Sequence, residues 1–268
     1  MAHNVAQMVG RESRIIRYMR PIYRALLVSL GGSKGIPWVI NGVTYRIDPH
    51  QYHRLAIDHE APVAAFLREK VKPGAICFDV GANVGAYVLQ FAYWSGPTGR
   101  IVAFEPNPSA REILWKHIQY NRFAERVRIV SAAVGATTGN AVLYAADADG
   151  MSRLGAPNVL IADLVAPINV PVITLDDYCE AEGLIPDWML IDVEGFEIAV
   201  LAGARKLLSR RAKNIGIIVE MHPNVWESAN TTRSDAEALL TELDLGLVPL
   251  TGQKDPLNEY GQVLLTYK

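Results

Sequence analysis

The sequence predicts an α/β fold, with a doubly wound, mostly parallel sheet of seven strands and helices on both of its faces. Two observations carry this prediction. From residue 75 onward, short apolar runs alternate with helical patterns, and two of these runs end at glycines that precede a helix. Strands that are buried on both faces read as continuous apolar runs, which is typical of a parallel sheet covered by helices. The predicted strands span residues 75–80, 100–105, 127–132, 188–193, 215–220, 245–250 and 262–267.

The helices are predicted from apolar side chains that recur every three to four residues. The stretch 139–175 interrupts the alternation, because two β-rich runs at 142–144 and 170–174 flank a polar, Gly-rich loop at 147–158. We expect this loop to contribute to substrate recognition. The last two strands suit a sheet edge that is completed by a hairpin. The predicted helices span residues 51–71, 84–95, 107–121, 196–209 and 233–243.

An extension precedes this domain. Residues 11–30 have a helical spacing of apolar side chains and carry five arginines, which favours an appended helix with a solvated basic face. Peripheral contact of this helix with an anionic membrane remains an alternative. The pair Asn41-Gly42 lies between two β-rich runs and predicts a hairpin, since a type I′ turn needs positive φ at both central residues. We therefore expect an N-terminal extension over residues 1–56 and the main domain over residues 57–268.

Composition and charge exclude several kinds of partner. The net charge of −2 differs from the strongly basic balance of nucleic-acid-binding domains, so we expect no nucleic acid partner. The two cysteines match no metal or redox spacing, and together with the lack of a signal peptide they indicate a reducing cytoplasm. The longest clean apolar run near the start, residues 25–28, is far shorter than the ~20 residues of a spanning helix.

The first strand ends in a glycine-containing loop that can receive a cofactor. Glycines at the carboxyl end of a strand let a ligand approach the backbone. Here Gly81, Asn83 and Gly85 depart from the G-x-G-x-x-G spacing of dinucleotide sites. Asp79, just before the loop, repels a pyrophosphate but attracts an ammonium or sulfonium group, by about 4 kcal/mol for charges 4 Å apart at an effective dielectric of 20. This favours S-adenosylmethionine (SAM), which carries both cations, over NAD.

The second strand ends in Glu105, an acid placed to accept hydrogen bonds from two ribose hydroxyls. Dinucleotide enzymes share this feature, so alone it indicates only an adenosine group. Asn107, two residues further on, is placed to reach the ribose or the adenine edge.

Two further strand ends carry acids and a histidine. If residues 192–194 stay extended, Asp192 and Glu194 point to the same side, where they can hold substrate, bind a divalent metal or orient a base. Glu197 is expected only to stabilise the start of the following helix. Glu220 and His222 also share one side of a strand end, and Pro223 keeps His222 out of the helical region.

Together these stretches resemble the FkbM family of methyltransferases, a branch of the class I SAM-dependent fold with a Rossmann-like sheet. The resemblance covers roughly residues 57–268, and the Asp192–Gly195 segment makes it considerably more specific than the first loop alone. The stretches that carry it are Glu60–Pro62, Phe78–Gly85, Ala103–Pro108, Ala132–Gly135, Ile191–Glu197 and Glu220–Pro223.

The resemblance implies O-methylation of a hydroxyl on a small molecule, a natural product or a sugar, with SAM as the methyl donor. It implies that Glu60 contacts the cofactor and that Ala132 lies near the adenine. The expected cofactor-binding set is Glu60, Asp79, Gly81, Asn83, Gly85, Glu105, Asn107, Ala132 and Asp192.

The expected catalytic residues are His222, Asp192 and Glu194, because methyl transfer to an alcohol requires removal of its proton. Bound Mg²⁺ at the same residues is an alternative, since it would lower the pKa of the alcohol. Two other functions stay open: an RNA methyltransferase, and a regulatory protein that binds SAM without turnover. An NAD-dependent oxidoreductase ranks last.

Overall fold

The computed structural model describes residues 34–145, 152–155, 166–209 and 215–268, together with residues 28, 29 and 31. The chain divides into two compact units between His59 and Glu60. The predicted helix over residues 11–30 lies almost entirely outside the described residues, as does most of the predicted loop at 147–158.

The first unit contains the predicted hairpin. Strands β1 (Ile36–Ile40) and β2 (Val43–Ile47) pair antiparallel across the two-residue turn. Asn41 and Gly42 have φ values of 46° and 82°, so both central residues adopt the left-handed region that a type I′ turn requires. The hairpin prediction is confirmed.

The second unit contains the remaining elements. Its strands are β3 (Ile76–Val80), β4 (Arg100–Phe104), β5 (Val127–Val130), β6 (Ala133–Val134), β7 (Gly139–Ala145), β8 (Arg153–Leu154), β9 (Ala166–Ile173), β10 (Trp188–Ile191), β11 (Gly216–Met221), β12 (Leu245–Pro249) and β13 (Gly261–Tyr267). Its α-helices are α1 (Ala61–Lys70), α2 (Ala86–Trp94), α3 (Pro108–Tyr120), α4 (Leu175–Glu182), α5 (Glu197–Ala202), α6 (Arg205–Ser209) and α7 (Arg233–Glu242), and a 3₁₀ helix spans Pro223–Ala229.

Seven of these strands form one mixed sheet in the order β5-β4-β3-β10-β11-β13-β12. The first five are parallel, and β13 runs antiparallel to both of its neighbours. All seven strands lie within or close to the predicted runs. The sheet therefore has the mostly parallel α/β arrangement that the sequence predicts.

The two faces of the sheet are buried by different sets of side chains. Phe78 and Val80 of β3 point into one hydrophobic cluster, which includes residues of α4, α5, α6 and α7. Cys77, on the opposite face of the same strand, lies in a second cluster with residues of α1, α2 and α3. Alternate residues of a strand point to opposite faces, so helices cover both sides of the sheet.

Three predicted elements differ from the structure. The helix predicted over 51–71 begins only at Ala61, because Pro62 has no N–H and fits only the first turn of a helix. The strand predicted over 127–132 ends early, at Val130, and the next strand, β6, belongs to a second sheet of order β6-β9-β7-β8. The helix predicted over 196–209 is divided around Gly203, whose carbonyl accepts the N–H of Asp176.

The two extra strands predicted within 139–175 are present as β7 and β9. They pair antiparallel in the second sheet, which explains why they interrupt the strand–helix alternation. Among the described residues, no helix is both long and apolar enough to cross a lipid bilayer.

Candidate functional site

The carboxyl ends of the parallel strands open into a pocket. Its wall combines the loops after β3, β4 and β10 with residues of the second sheet. The candidate residues predicted from the sequence that line the wall are Gly81, Asn83, Glu105, Asn107, Ala132, Asp192 and Glu194, and Ser152 of the predicted loop at 147–158 lines it too. Among the described wall residues none is a lysine or an arginine. Asp79, Gly85, Glu60 and His222 lie outside this wall.

Both glycines of the first loop have positive φ, and at Gly81 a side chain would also collide with backbone. Gly81 has a φ of 91°, and a Cβ on this residue would lie 1.8 Å from the carbonyl oxygen of Asp192. Gly85 also has a φ of 91°, and its Cβ would lie 2.4 Å from Cδ1 of Leu114 in α3. Gly81 therefore lets two strand ends approach each other, and Gly85 lets α2 pack against α3.

Asp79 is 2% exposed and directly precedes the wall residue Val80 in β3. Burial, together with the charges of Glu105 and Glu60, raises the pKa of its carboxyl group to about 8, although a hydrogen bond from the backbone of Val88 opposes the shift. The group thus holds a proton at neutral pH when no cation is near. A cationic ligand in the pocket would favour its ionised form.

Glu105 accepts hydrogen bonds from the backbone of two strand-end loops, the one after β3 and the one after β4. Its Oε2 accepts the backbone N–H of Asn83 at 2.7 Å, and its Oε1 accepts that of Asn107 at 2.7 Å. Both oxygens are thus held by backbone N–H groups at the carboxyl ends of two neighbouring strands. Glu105 is therefore preorganised as an acceptor at the pocket wall.

Asn107 has a structural role alongside its place on the wall. Its Oδ1 accepts the N–H of Ser109 at 3.0 Å and caps α3, while its Nδ2 donates to Oγ of Ser152 at 3.0 Å. The second contact joins the strand-end loop to the loop that the sequence analysis assigned to the substrate. Ala132 contributes an apolar part of the wall, next to Ala133 and Leu143.

Glu60 lies at the start of α1 and is partly buried. The hydroxyl of Tyr87 donates to its Oε2 at 2.8 Å. Burial and the charge of Glu220 raise the pKa of Glu60 to about 7, against the opposing effect of this hydrogen bond. The charge of Glu60 also raises the pKa of Asp192, so Glu60 belongs to the same cluster of acidic residues as the strand-end carboxylates.

Asp192, Glu194 and His222 lie close together. The Nε2 atom of His222 is 4.0 Å from Oδ1 of Asp192 and 4.0 Å from Oε2 of Glu194. The backbone of residues 192–194 does not stay extended, which was the condition for placing the two acids on one side: Glu194 has a φ of 51° in a turn that Gly195 completes. The two carboxylates still face the same histidine, because the left-handed turn brings Glu194 back towards β11.

Glu197 is the residue whose role sequence reasoning missed. It is completely buried, and its Oε1 lies 2.8 Å from Nδ1 of His222. The same carboxylate accepts the Nε1–H of Trp226 at 2.8 Å and the backbone N–H of Gly195 at 2.7 Å. An acid in the first turn of a helix is ordinary, so nothing in the sequence distinguishes this one from a residue that only stabilises the helix start.

The electrostatics of His222 follow from these neighbours. Burial lowers its pKa, but the hydrogen bond to Glu197 and the charges of Glu197, Asp192 and Glu194 raise it overall, to about 9. Burial likewise raises the pKa of Asp192 well above its ordinary value, and the charge of Glu220 adds to this shift. Without ligand, protons are therefore held within the cluster at neutral pH.

Two further side chains surround this cluster. Tyr260 donates a hydrogen bond from its hydroxyl to Oε1 of Glu220, and its ring centroid lies 5.2 Å from that of His222. Arg153 places its guanidinium 3.7 Å from Oε2 of Glu194. Glu220 and His222 thus share one side of the strand end, as the sequence predicts.

A family model matches the part of the chain that carries this site. The family model of the methyltransferase FkbM domain matches residues 79–246, which is more than half of the chain. The chain belongs to the FkbM methyltransferase family. The matched residues of this FkbM-family chain include the loop after β3 and the cluster of Asp192, Glu194 and His222. A search of curated proteins finds no match.

Solved structures with a similar fold are distant in sequence. An FkbM methyltransferase from Methylobacillus flagellatus KT is 14% identical with a TM-score of 0.47, and the match covers 82% of this chain and 54% of that one. The FkbM-family chain described here therefore spans about half the length of that protein. A Podospora anserina methyltransferase with bound SAH is 8% identical, with a TM-score of 0.49 over 80% of this chain and 79% of that one. Fibrillarin from Aeropyrum pernix, with bound SAM, is 14% identical, with a TM-score of 0.43 over 76% and 73%.

Proposed function

We propose that this chain transfers the methyl group of SAM to a hydroxyl oxygen of a small molecule or a saccharide. The observation that carries the proposal is the charge of the pocket wall. Glu105, Asp192 and Glu194 line it, Asp79 directly precedes the wall residue Val80 in β3, and no described wall residue is basic. Such a wall attracts the sulfonium and ammonium groups of SAM and repels phosphate groups.

In this proposal Glu105 accepts the ribose hydroxyls, and Asp79 stabilises the cationic methionine part of the cofactor. Gly81 and Asn83 present their backbone atoms to the cofactor in the pocket, and Ala132 lies against the adenine. These positions support the cofactor set that the sequence predicts. The same absence of basic wall residues weighs against NAD, which carries a pyrophosphate, and against an RNA substrate.

The reaction is an in-line displacement. The acceptor oxygen forms a bond to the methyl carbon as the bond from carbon to sulfur breaks, and the electron pair of that bond stays on sulfur, giving S-adenosylhomocysteine (SAH). Holding donor and acceptor in attack geometry can supply ~7–11 kcal/mol of the barrier. The alcohol proton is received by the cluster of Asp192, Glu194 and His222, which lies at the same edge of the sheet.

Glu197 acts as a positioning residue in this scheme. Because its carboxylate is fixed by Trp226 and Gly195, it holds the imidazole of His222 in one orientation and directs Nε2 towards Asp192 and Glu194. An orienting carboxylate behind a catalytic histidine is a recurrent arrangement in enzymes.

A pair of variants tests the proposal by separating cofactor binding from turnover. We expect Glu105→Ala to weaken SAM and SAH binding by about ten- to a hundredfold, since hydrogen bonds to a charged group contribute about 1.5–3 kcal/mol. We expect His222→Ala to lower turnover by about 10²–10⁴-fold, with little change in cofactor affinity. Calorimetry measures the affinities, and mass spectrometry measures methylated product against a panel of hydroxylated acceptors.

One surface variant serves as the control, and two binding results would contradict the proposal. Glu112, an exposed acid on α3 that pairs with Lys116, supplies the matched variant Glu112→Gln, for which both quantities should equal those of the unmodified protein. Binding of SAH without product from any acceptor would favour a regulatory SAM-binding protein. Binding of NAD in preference to SAH would overturn the proposal altogether.

A further inference from the structure

Nε2 of His222 is directed at two carboxylates without bonding to either. The side chain is nine-tenths buried, and Nε2 makes no hydrogen bond within the described part of the chain. Its distance of 4.0 Å to an oxygen of Asp192 and of Glu194 exceeds that of a charge-assisted hydrogen bond, which is about 2.7–2.9 Å. An imidazolium that merely neutralised these acids would move closer to one of them.

The spacing suits a metal ion between the three side chains. One ligand atom from each of Asp192, Glu194 and His222 can be chosen so that all lie within 4.8 Å of one another. Nitrogen and oxygen ligands bind divalent metals at about 2.0–2.3 Å, so two ligands of one ion are separated by up to roughly 4–4.6 Å. A small inward movement of the side chains completes the contacts.

The other nitrogen of His222 has the partner that a metal-binding histidine requires. Metal-ligating histidines donate their second N–H to a carboxylate or a carbonyl, which fixes the tautomer and makes the ligating nitrogen more basic. Glu197 provides this carboxylate at 2.8 Å from Nδ1, and it lies outside the three ligands themselves. Its bonds to Trp226 and Gly195 keep it in place.

We infer that Asp192, Glu194 and His222 bind a divalent ion of the first transition series, of the Mn²⁺ or Zn²⁺ type. Two carboxylates and one imidazole leave further positions for water or for an oxygen of the acceptor. The imidazole selects against Mg²⁺, which prefers oxygen ligands, whereas it suits Zn²⁺ and is compatible with Mn²⁺. In the methyl transfer proposed above, on which this last role rests, the ion would lower the pKa of the acceptor hydroxyl, and this would replace direct proton transfer to His222, whose Nε2 would be bound to the metal.

Binding of Mn²⁺ to the full chain tests the inference without any need for activity. The protein is stripped with EDTA and dialysed, and the loss of the electron paramagnetic resonance signal of free Mn²⁺ is titrated. We expect one Mn²⁺ per chain, displaced by Zn²⁺ at similar concentration and by Mg²⁺ only at concentrations at least tenfold higher. Asp192→Asn and His222→Gln should each weaken Mn²⁺ binding at least tenfold, and Glu197→Gln by about 10–100-fold.

Circular dichroism of each variant checks its fold, and Glu112→Gln serves as the surface control that keeps full Mn²⁺ affinity. The inference is overturned if the folded protein binds no Mn²⁺ stoichiometrically, or if Asp192→Asn and His222→Gln both bind it unchanged. SAH affinity, measured on the same EDTA-treated samples, separates the two proposals. Normal SAH binding without Mn²⁺ binding removes the metal site and leaves the methyltransferase proposal standing.

Discussion

Asp79 shows how a single buried acid can link cofactor binding to protonation. Its pKa of about 8 in the folded chain lies far above the usual aspartate value, mainly because of burial and then because of Glu105 and Glu60. Between about pH 4 and pH 8 the folded state thus keeps a proton that the unfolded state has lost. This contribution to stability is full below the unfolded pKa and disappears as the pH rises through 8.

We therefore expect the free energy of unfolding to fall as the pH rises from 5 to 7 in the presence of EDTA. Asp79→Asn, which keeps an oxygen for the N–H of Val88, should reduce this slope by up to about 1.4 kcal/mol per pH unit. Urea denaturation at several pH values measures the slope. The matched control is Asp177→Asn. The hydrogen bond from Thr138 lowers the pKa of this exposed acid, so its titration changes the free energy of unfolding only below pH 4. Equal slopes for the unmodified chain and Asp79→Asn would contradict the expected protonation of Asp79.

Some of the site residues can be predicted from the sequence, and others cannot. Asp79, Glu105, Asp192 and His222 each stand at the end of an apolar run, and parallel strands bring such ends to one edge. Glu197 could not be predicted, because its role depends on Trp226, which reaches it only through the fold. The turn at Glu194 could not be predicted either, since a positive φ at a non-glycine residue is decided by tertiary contacts and not by local preference.

At the scale of elements, the loops after β3 and β10 are built as one unit. Gly81 permits the close approach of the Asp192 carbonyl, and the backbone N–H of Asp192 donates to the carbonyl of Val80 at 2.9 Å. The loop that receives the cofactor and the loop that carries the acids thus share a backbone contact. Movement of one loop must displace the other.

Gly81→Ala tests this coupling. The added Cβ would meet backbone at 1.8 Å, and the left-handed conformation adds a cost of about 1–2 kcal/mol. We expect a loss of unfolding free energy clearly above that cost, together with weaker SAH binding because Asp192 is displaced. Gly183→Ala is the matched control: Gly183 also has positive φ, but a Cβ there meets nothing within 4 Å. Urea denaturation and calorimetry compare the two, and equal losses in both variants would show that the loops are not coupled.

The large elements follow from the sequence, whereas their ends do not. The seven strands of the main sheet are apolar runs that no other arrangement buries as well. The start of α1 and the break at Gly203 depend on particular contacts: Pro62 sets the first, and the bond from Asp176 to the carbonyl of Gly203 sets the second. The predicted end of β5 lies two residues beyond Val130, where the strand ends, because nothing in residues 127–132 shows that the chain leaves the main sheet there.

At the scale of the molecule, the pocket wall joins the main sheet to the second sheet. Glu105 and Asp192 follow strands of the main sheet, whereas Leu143 and Leu154 belong to the second. A ligand that fills the pocket contacts both sheets at once, so its binding energy opposes the unfolding of the whole unit from Glu60 to Lys268.

We therefore expect SAH to raise the melting temperature of the protein. A ligand at 100 times its dissociation constant stabilises the folded state by about 2.7 kcal/mol, and for a chain of this size each kcal/mol shifts the midpoint by about 2–4 °C. The expected rise is about 5–10 °C in differential scanning calorimetry, and Glu105→Ala should lose most of it at the same SAH concentration. NAD at that concentration should leave the midpoint unchanged, because its pyrophosphate would enter a pocket whose described wall carries three carboxylates and no basic side chain. An equal rise with NAD would mean that the adenosine half alone decides binding and that the charge of the wall does not select the cofactor.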